Sequence, residues 1–374
     1  VTAAHKKFIA GRLAEICLLA AAVLVFDATG SASISGLAGW LAAHPVGFEV
    51  QLAAVLLALG VILKSAQMPV HGWLLQVMEA PTPVSALLHA GIVNLGGFVL
   101  IKLAALVSAV PAAQALLVTV GSVTVVLASL VMLTRISVKV RLAWSTCAQM
   151  GFMLVECGLG LYELALLHLL GHSLYKAHAF LSAGSAVTQT RLRRLAPATP
   201  WGAADLAWAA LAAPLAVAAV WGSVAVWTLA APALHLPAAW IVVLGLTWAP
   251  LLWRSGTSGI GGVLRGAISG LVFVQIYLAL HLAAGLAVSP TPGSLWLFAW
   301  TAACFVLLYA VQVLLLGVGD AAWMVGLRRW AYAGLYLDEW FTRMTFRLWP
   351  ARLPATGGGT ASKPVFALMQ GRTS

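Results

Sequence analysis

His168, His172 and Lys176 are spaced four apart in an otherwise apolar stretch. On a helix this spacing stacks them along one stripe with slow drift. Imidazoles titrate near neutral pH, and a desolvated lysine can trade protons, so the stripe suits a proton relay. Glu163 and His178 lie close by in sequence. The alternative is a set of satisfied polar groups holding helices together. Three such residues on one apolar stripe are costly to explain in that way. His168 and His172 also have the spacing of a zinc-binding helix, but Leu169, Leu170 and Gly171 lie between them. The missing Glu argues against a metalloprotease.

A second group surrounds Lys64. It closes the apolar run Val50–Leu63 and is followed by Ser65, Gln67, Pro69, His71, Glu79, Pro81 and Pro83. Prolines and polar residues inside an apolar hairpin predict a discontinuous helix, whose freed backbone groups often line ion sites. Alternatively, Lys64 ends a span and snorkels to the interface. His89 and Asn94 follow in the next apolar run. A lone histidine is usually packing, but closeness to the break makes His89 a candidate. Lys102 reads as a snorkelling residue and Glu156 as a boundary residue. There is no Walker A motif, no dinucleotide glycine fingerprint and no recognisable flavin or quinone motif.

The elements that must carry these residues are membrane helices. The chain has 374 residues, 62% hydrophobic and 8% charged, against about 25% charged in soluble domains. Mean hydropathy is +0.99. These values exclude a soluble enzyme, a disordered chain and a nucleic-acid-binding domain. Spans of roughly 20 apolar residues are predicted at 8–26, 50–79 (interrupted), 83–108, 112–134, 142–158, 161–187, 204–229, 238–253, 262–284 and 294–317. The expected fold is all-α, a polytopic transmembrane bundle of about ten spans with at least one discontinuous helix. The net charge of +11 follows the positive-inside pattern. Arg135, Lys139, Arg141, Arg191, Arg193, Arg194, Arg254, Arg265, Arg328 and Arg329 all fall on one side, which places the N-terminus in the cytoplasm. Lys6 and Lys7 precede the first run as in a signal peptide, but the lack of a clear cleavage site favours a first membrane helix. The four scattered cysteines support neither a disulfide framework nor a zinc site.

Trp40, Trp201, Trp240 and Trp253 read as an interfacial belt. Gly262, Gly266 and Gly270 predict close helix packing, and Pro214 predicts a kink. The expected organisation is a transmembrane domain over 1–319, an amphipathic interfacial segment over 320–350 and a disordered tail over 351–374.

The stretch KSAQMPVHGWLLQVMEAPTPVSALLHAGIVNLGGFVLIK, Lys64–Lys102, resembles the large antiporter-like subunit shared by respiratory complex I and Mrp-type antiporters. That stretch from His71, with HSLYKAHAFLSAGS at His172–Ser185 and LYLDEWFTRMTFRLWP at Leu335–Pro350, is most similar to the membrane subunit of the DAB-type inorganic carbon pump. The likeness is sharp over 64–190 and weak across 200–320. It implies an ion-conducting transport subunit, not an enzyme, in the bacterial inner membrane, with Lys64 at a broken helix and His89 on the next span. His168, His172 and Lys176 would form the central polar axis; His71 and Glu79, read from the polar residues around the break, join the candidate ion pathway. It also implies a soluble, zinc-containing, carbonic-anhydrase-like partner subunit, with no cofactor in this chain. A proton or sodium gradient would then drive bicarbonate accumulation. The other branches would make the chain a proton-pumping subunit of NADH–quinone oxidoreductase or an Mrp antiporter component. Two departures stand out. The relatives carry a buried Lys in a second broken helix, where 204–229 has Pro214 and only Asp205 as an acid. They also begin with further helices, one bearing the Glu that partners the broken-helix Lys, so the chain is expected to lack the family's front.

Overall fold

The computed structural model describes residues 2–184, 201–232, 234, 236–253, 259–288, 291, 293–317 and 322–349. The expected basic gaps at Arg191–Arg194 and Arg254, and the tail over 351–374, lie outside the described residues. No strand occurs among the described residues. The uniformly apolar runs lack the alternation of a strand, and in a lipid core helices satisfy their own backbone.

The chain begins with α1 (Thr2–Thr29), a short α2 (Ile34–Ala43) and α3 (Phe48–Lys64). After a break come α4 (Gly72–Gln76), α5 (Thr82–Ala90), α6 (Leu95–Lys102) and α7 (Ala104–Ser108). The long hairpin of α8 (Pro111–Leu133) and α9 (Val138–Gly158) leads to α10 (Tyr162–Leu181). The second half holds α11 (Ala203–Ala230), α12 (Ala238–Trp248), α13 (Gly259–Gly285) and α14 (Leu295–Gly317). Two further helices, α15 (Ala322–Tyr332) and α16 (Leu337–Leu348), follow among the described residues.

Each of the ten expected spans corresponds to one helix or to a run of helices with breaks between them. Six are long and apolar enough to cross a membrane by length and composition alone. The others fall short for visible reasons: α3 has 17 residues, α12 has 11, and α9 and α10 carry the polar side chains of the axis. The apolar α2, which packs on α7, was not anticipated. Among the described residues the two larger apolar clusters lie around α1, α3, α8 and α9 and around α11, α12 and α14, with a smaller one at Met78, Ala86, Ala143 and Phe180.

The α8–α9 hairpin holds the molecule's centre, and two glycines set its spacing. A Cβ on Gly121 would lie 2.6 Å from the Gly151 carbonyl oxygen, and one on Gly151 would lie 2.7 Å from that of Gly121. The two backbones therefore touch, as small residues permit. Gly121→Ala is expected to cost about 1–3 kcal/mol by forcing the helices apart. Gly222→Ala, where a Cβ meets nothing within 4 Å, should be neutral or mildly stabilising. Thermal unfolding of the two detergent-solubilised variants measures the difference.

Several expected interfacial residues have other duties. Trp240 is buried, and its indole N–H donates to Tyr277 Oη at 3.2 Å. Trp253 donates to Tyr309 Oη at 2.8 Å. Trp240 departs from the belt reading, because a buried indole with a hydrogen-bond partner fits a core. Lys6 and Lys7 are not simple flanks: α1 already begins at Thr2, Lys6 is fully buried against Asp338, and Lys7 lies 4.0 Å from the Trp73 ring centroid. At Gly266 of the expected small-residue ladder, a Cβ would meet the Leu251 carbonyl oxygen at 1.8 Å. α11 runs through Pro214, and one turn earlier the Ala209 carbonyl accepts the Tyr309 hydroxyl at 2.6 Å.

Candidate functional site

The break after α3 is built as its sequence demands. Ala66 adopts a positive φ of 50°, the Met68–Pro69 peptide is cis, and Pro69 offers no N–H to continue a helix. The freed Met68 N–H donates to Thr124 Oγ1 on α8 at 3.3 Å, so the neighbouring helix repairs the backbone. Lys64 closes α3, and its Nζ lies 3.0 Å from Glu15 Oε1 on α1. In the family the lysine's carboxylate partner is expected on a helix ahead of the break. α1 supplies one, because packing of α1 on α3 brings the acid of Arg12–Glu15 opposite the break. Arg12 shares the same carboxylate at 2.7 Å.

His71 is buried at the start of α4, with its ring 5.0 Å from that of Trp144 on α9. Glu79 stands apart: it is exposed, ends the short turn after α4, and joins none of the buried contacts.

A second break, not anticipated, interrupts the span beginning near residue 83. α5 ends at Gly91, a tight turn spans Ile92–Asn94, and α6 resumes at Leu95. Asn94 Nδ2 donates to the Ala90 carbonyl and to Ser173 Oγ on α10, both at 2.8 Å. The turn is thereby tied to the helix of the candidate relay. His89, one turn earlier, is fully buried and stacks on Phe180 of α10, centroids 4.5 Å apart.

α10 presents its stripe to α9. Lys176 is buried; its ammonium donates to the Leu142 carbonyl at 3.0 Å and to Ser145 Oγ. His172 is buried one turn on, and its ring centroid lies 6.1 Å from that of His168. His168 Nδ1 donates to Glu156 Oε2 at 2.8 Å. Glu156, read from sequence as a boundary residue, is therefore a buried member of the axis. Its position in the last turn of α9 was legible. The hairpin return that faces it toward His168 was not. His178, by contrast, is exposed.

Two cavities flank this stripe. One, of about 740 Å³, runs from Arg141 and Ser145 to Lys176, His172 and His168. The other, of about 500 Å³, begins at Gln149, His168 and Glu156 and extends to Tyr277 and Gln312. Gln149 and His168 line both, so polar side chains join them into one interrupted course. Titratable groups at hydrogen-bonding or near-contact spacing along such a course are what proton conduction through an apolar bundle requires. Of the residues singled out from sequence as an ion pathway, Lys64, His71, His89, His168, His172 and Lys176 are buried or half-buried. Sequence reasoning missed Ser145, Gln149 and the place of Glu156, which no spacing rule marks.

The transmembrane profile of the NADH:quinone oxidoreductase/Mrp antiporter family matches residues 1–247. Among curated proteins, the probable inorganic carbon transporter subunit DabB of Hydrogenovibrio crunogenus is 44% identical over 363 residues, covering 95% of this chain and 68% of the relative. DabB2 of Halothiobacillus neapolitanus is 38% identical over 374 residues, covering 94% of this chain and 66% of the relative. NADH-ubiquinone oxidoreductase chain 5 of Metridium senile is 37% identical over 186 residues, covering 50% and 31%. The chain thus spans about two thirds of the length of the two DabB relatives. A solved structure of the Mrp complex from Dietzia sp. DQ12-45-1b aligns with a TM-score of 0.47 at 25% identity, covering 95% of this chain and 41% of that one. A profile match over most of the described helices and a relative matched nearly end to end agree with the broken helix and buried axis: the chain belongs to the NADH:quinone oxidoreductase/Mrp antiporter transmembrane family.

Proposed function

We propose that this chain is the ion-conducting membrane subunit of an energy-coupled inorganic carbon transporter in a bacterial inner membrane. The observation that carries the reading is the buried axis of Lys176, His172, His168 and Glu156 in a chain 44% identical to a protein named as an inorganic carbon transporter subunit. Protons or sodium ions moving along this axis would drive bicarbonate accumulation. A soluble carbonic-anhydrase-like subunit would carry the zinc and interconvert carbon dioxide and bicarbonate, and this chain would hold no cofactor of its own. The N-terminus would face the cytoplasm. Lys6, Arg135 and Arg141 at one end of the bundle support that orientation by the positive-inside rule.

The polar course supports conduction in two ways. Ionisable groups in a lipid-embedded bundle are costly and are retained where ions move. The side chains also face cavities instead of being sealed in close packing. The test is affinity capture of the full-length protein from membranes, with zinc measured in what co-purifies. A soluble zinc protein in roughly equimolar amount is expected, together with bicarbonate uptake in cells lacking other carbon transporters. Recovery with flavoprotein or quinone-reducing subunits would transfer the chain to a respiratory complex. Recovery with small membrane proteins and no zinc would transfer it to an Mrp-type antiporter.

A further inference from the structure

Glu163 and His281 form a buried pair that the axis above does not use. Glu163 sits in the first turn of α10 and His281 four residues before the end of α13. Both are buried, and Glu163 Oε1 lies 4.0 Å from His281 Nδ1. Among the described residues, Glu163 Oε2 and His281 Nδ1 have no hydrogen-bond partner. A carboxylate and an imidazole 4.0 Å apart, with hydrogen-bonding capacity left over, can exchange a proton through one bridging water.

The pair's position makes it part of a path. α9 rises from the basic end at Lys139 and Arg141 to Glu156 in its last turn, so the start of α10 lies at the opposite end of the bundle. Along α10, Glu163, His168, His172 and Lys176 cover about 20 Å at 1.5 Å per residue, most of a hydrocarbon core of about 30 Å. Glu156, bound to His168, stands across the α9–α10 turn from Glu163, a turn closed by the Leu161 N–H donating to the Glu156 carbonyl at 2.9 Å. The 500 Å³ cavity that begins at Glu156 reaches Tyr277, whose ring is parallel to that of His281 at 6.3 Å. α11, where the resemblance leads one to look for a second buried lysine, holds no Lys or Arg, and its one acid, Asp205, is in the first turn.

We propose that Glu163 and His281 are the station through which this chain's ion path reaches the face opposite its basic end, and that the ion is a proton. A proton arriving at the His168–Glu156 pair passes to the Glu163 carboxylate, then to the His281 imidazole, and leaves; no bond other than the N–H and O–H bonds changes. Sodium would need several oxygen ligands around it, whereas this pair offers one carboxylate beside a nitrogen. The inference rests on the ion-conducting reading above and names its exit and its ion.

The test is proton flux into vesicles holding the full-length protein with its co-purified partners, driven by a potassium diffusion potential and read with an internal pH dye. Lys176→Ala reports on the axis, Glu163→Gln and His281→Gln on the station, and Glu163→Asp on the need for a titratable group. Glu163→Gln and His281→Gln are expected to lower flux about tenfold or more. Glu163→Asp, reconstituted to the same level, should stay within about threefold of the unmodified protein. Replacing sodium by choline should change nothing. Flux in Glu163→Gln and His281→Gln equal to the unmodified protein, with Lys176→Ala inactive, would overturn the station and leave the conducting reading standing. Equal loss in the Asp and Gln variants would overturn it in favour of a structural role, and dependence on sodium would overturn the choice of ion. No flux in the unmodified protein above protein-free vesicles would remove the conducting reading and this proposal together.

Discussion

Lys176→Ala is expected to lower coupled inorganic carbon uptake by about 100-fold or more, the scale lost when a proton-transfer group is removed, while the subunit still assembles. The separation of effects follows from the contacts. Lys176 Nζ donates to the Leu142 carbonyl and to Ser145 Oγ. The same carbonyl also accepts from Ser145 Oγ at 2.9 Å and Thr146 Oγ1 at 3.0 Å. Truncation therefore leaves no orphaned acceptor, and it removes a charge that is costly to hold in an apolar bundle. Lys176→Arg sharpens the test. Arginine keeps the positive charge and the donors but does not deprotonate in a protein, so it preserves any gluing role and removes the relay. Uptake in the Arg variant close to the unmodified level, or loss of the Ala variant from membranes, would assign Lys176 to helix cohesion. Uptake of labelled bicarbonate, with the subunit's membrane level measured alongside, separates the cases.

The elements that sequence made legible are those whose physics is local. A span is a run of apolar residues, a break is a proline next to polar groups, and a stripe is an i,i+4 repeat. Hence the ten helical segments, the break after Lys64 and the alignment of His168, His172 and Lys176 could all be read from the chain. What could not be read is set by which helix packs on which. Glu156 looks like a span boundary until the α9–α10 turn brings it to His168. Glu15 shows no partner in sequence until α1 lies on α3. Trp240 looks like a belt residue until Tyr277 is seen beneath its N–H. The break at Gly91–Asn94 was hidden for another reason: its only proline-free signal, a glycine and an asparagine, is common in continuous membrane helices, and its stability comes from Ser173 on a distant helix. Glu79 is exposed, since nearness in sequence to a break says nothing about which way a short turn faces.

Removing the charge of Asp338 is expected to destabilise the folded chain by about 3–5 kcal/mol, the cost of breaking a buried ion pair by deleting one partner. Lys6 is fully buried, its Nζ lies 2.7 Å from Asp338 Oδ1, and Asp338 is 28% exposed. Gln76 Nε2 at the end of α4 donates to the second carboxylate oxygen at 3.1 Å. Asp338 thus joins α16 to α1 and α4 at one point, and it sits so close to Gly72 that a Cβ there would collide with its carboxylate. As an acid in the first turn of α16, it also meets the favourable end of the helix dipole. Asp338→Asn should lower the unfolding midpoint and expose the segment after Gly334 to added protease. Lys6→Met combined with Asp338→Leu should recover most of the loss, because replacing both members of a buried pair by apolar groups is often neutral. The double-mutant cycle isolates the pair from the loss of side-chain packing. An Asp338→Asn protein with an unchanged midpoint and an intact C-terminal segment would show that α16 is held by its apolar face alone. The expected result instead makes a single carboxylate the clasp that keeps the last helix against the start of α4, one turn from the break that carries Lys64.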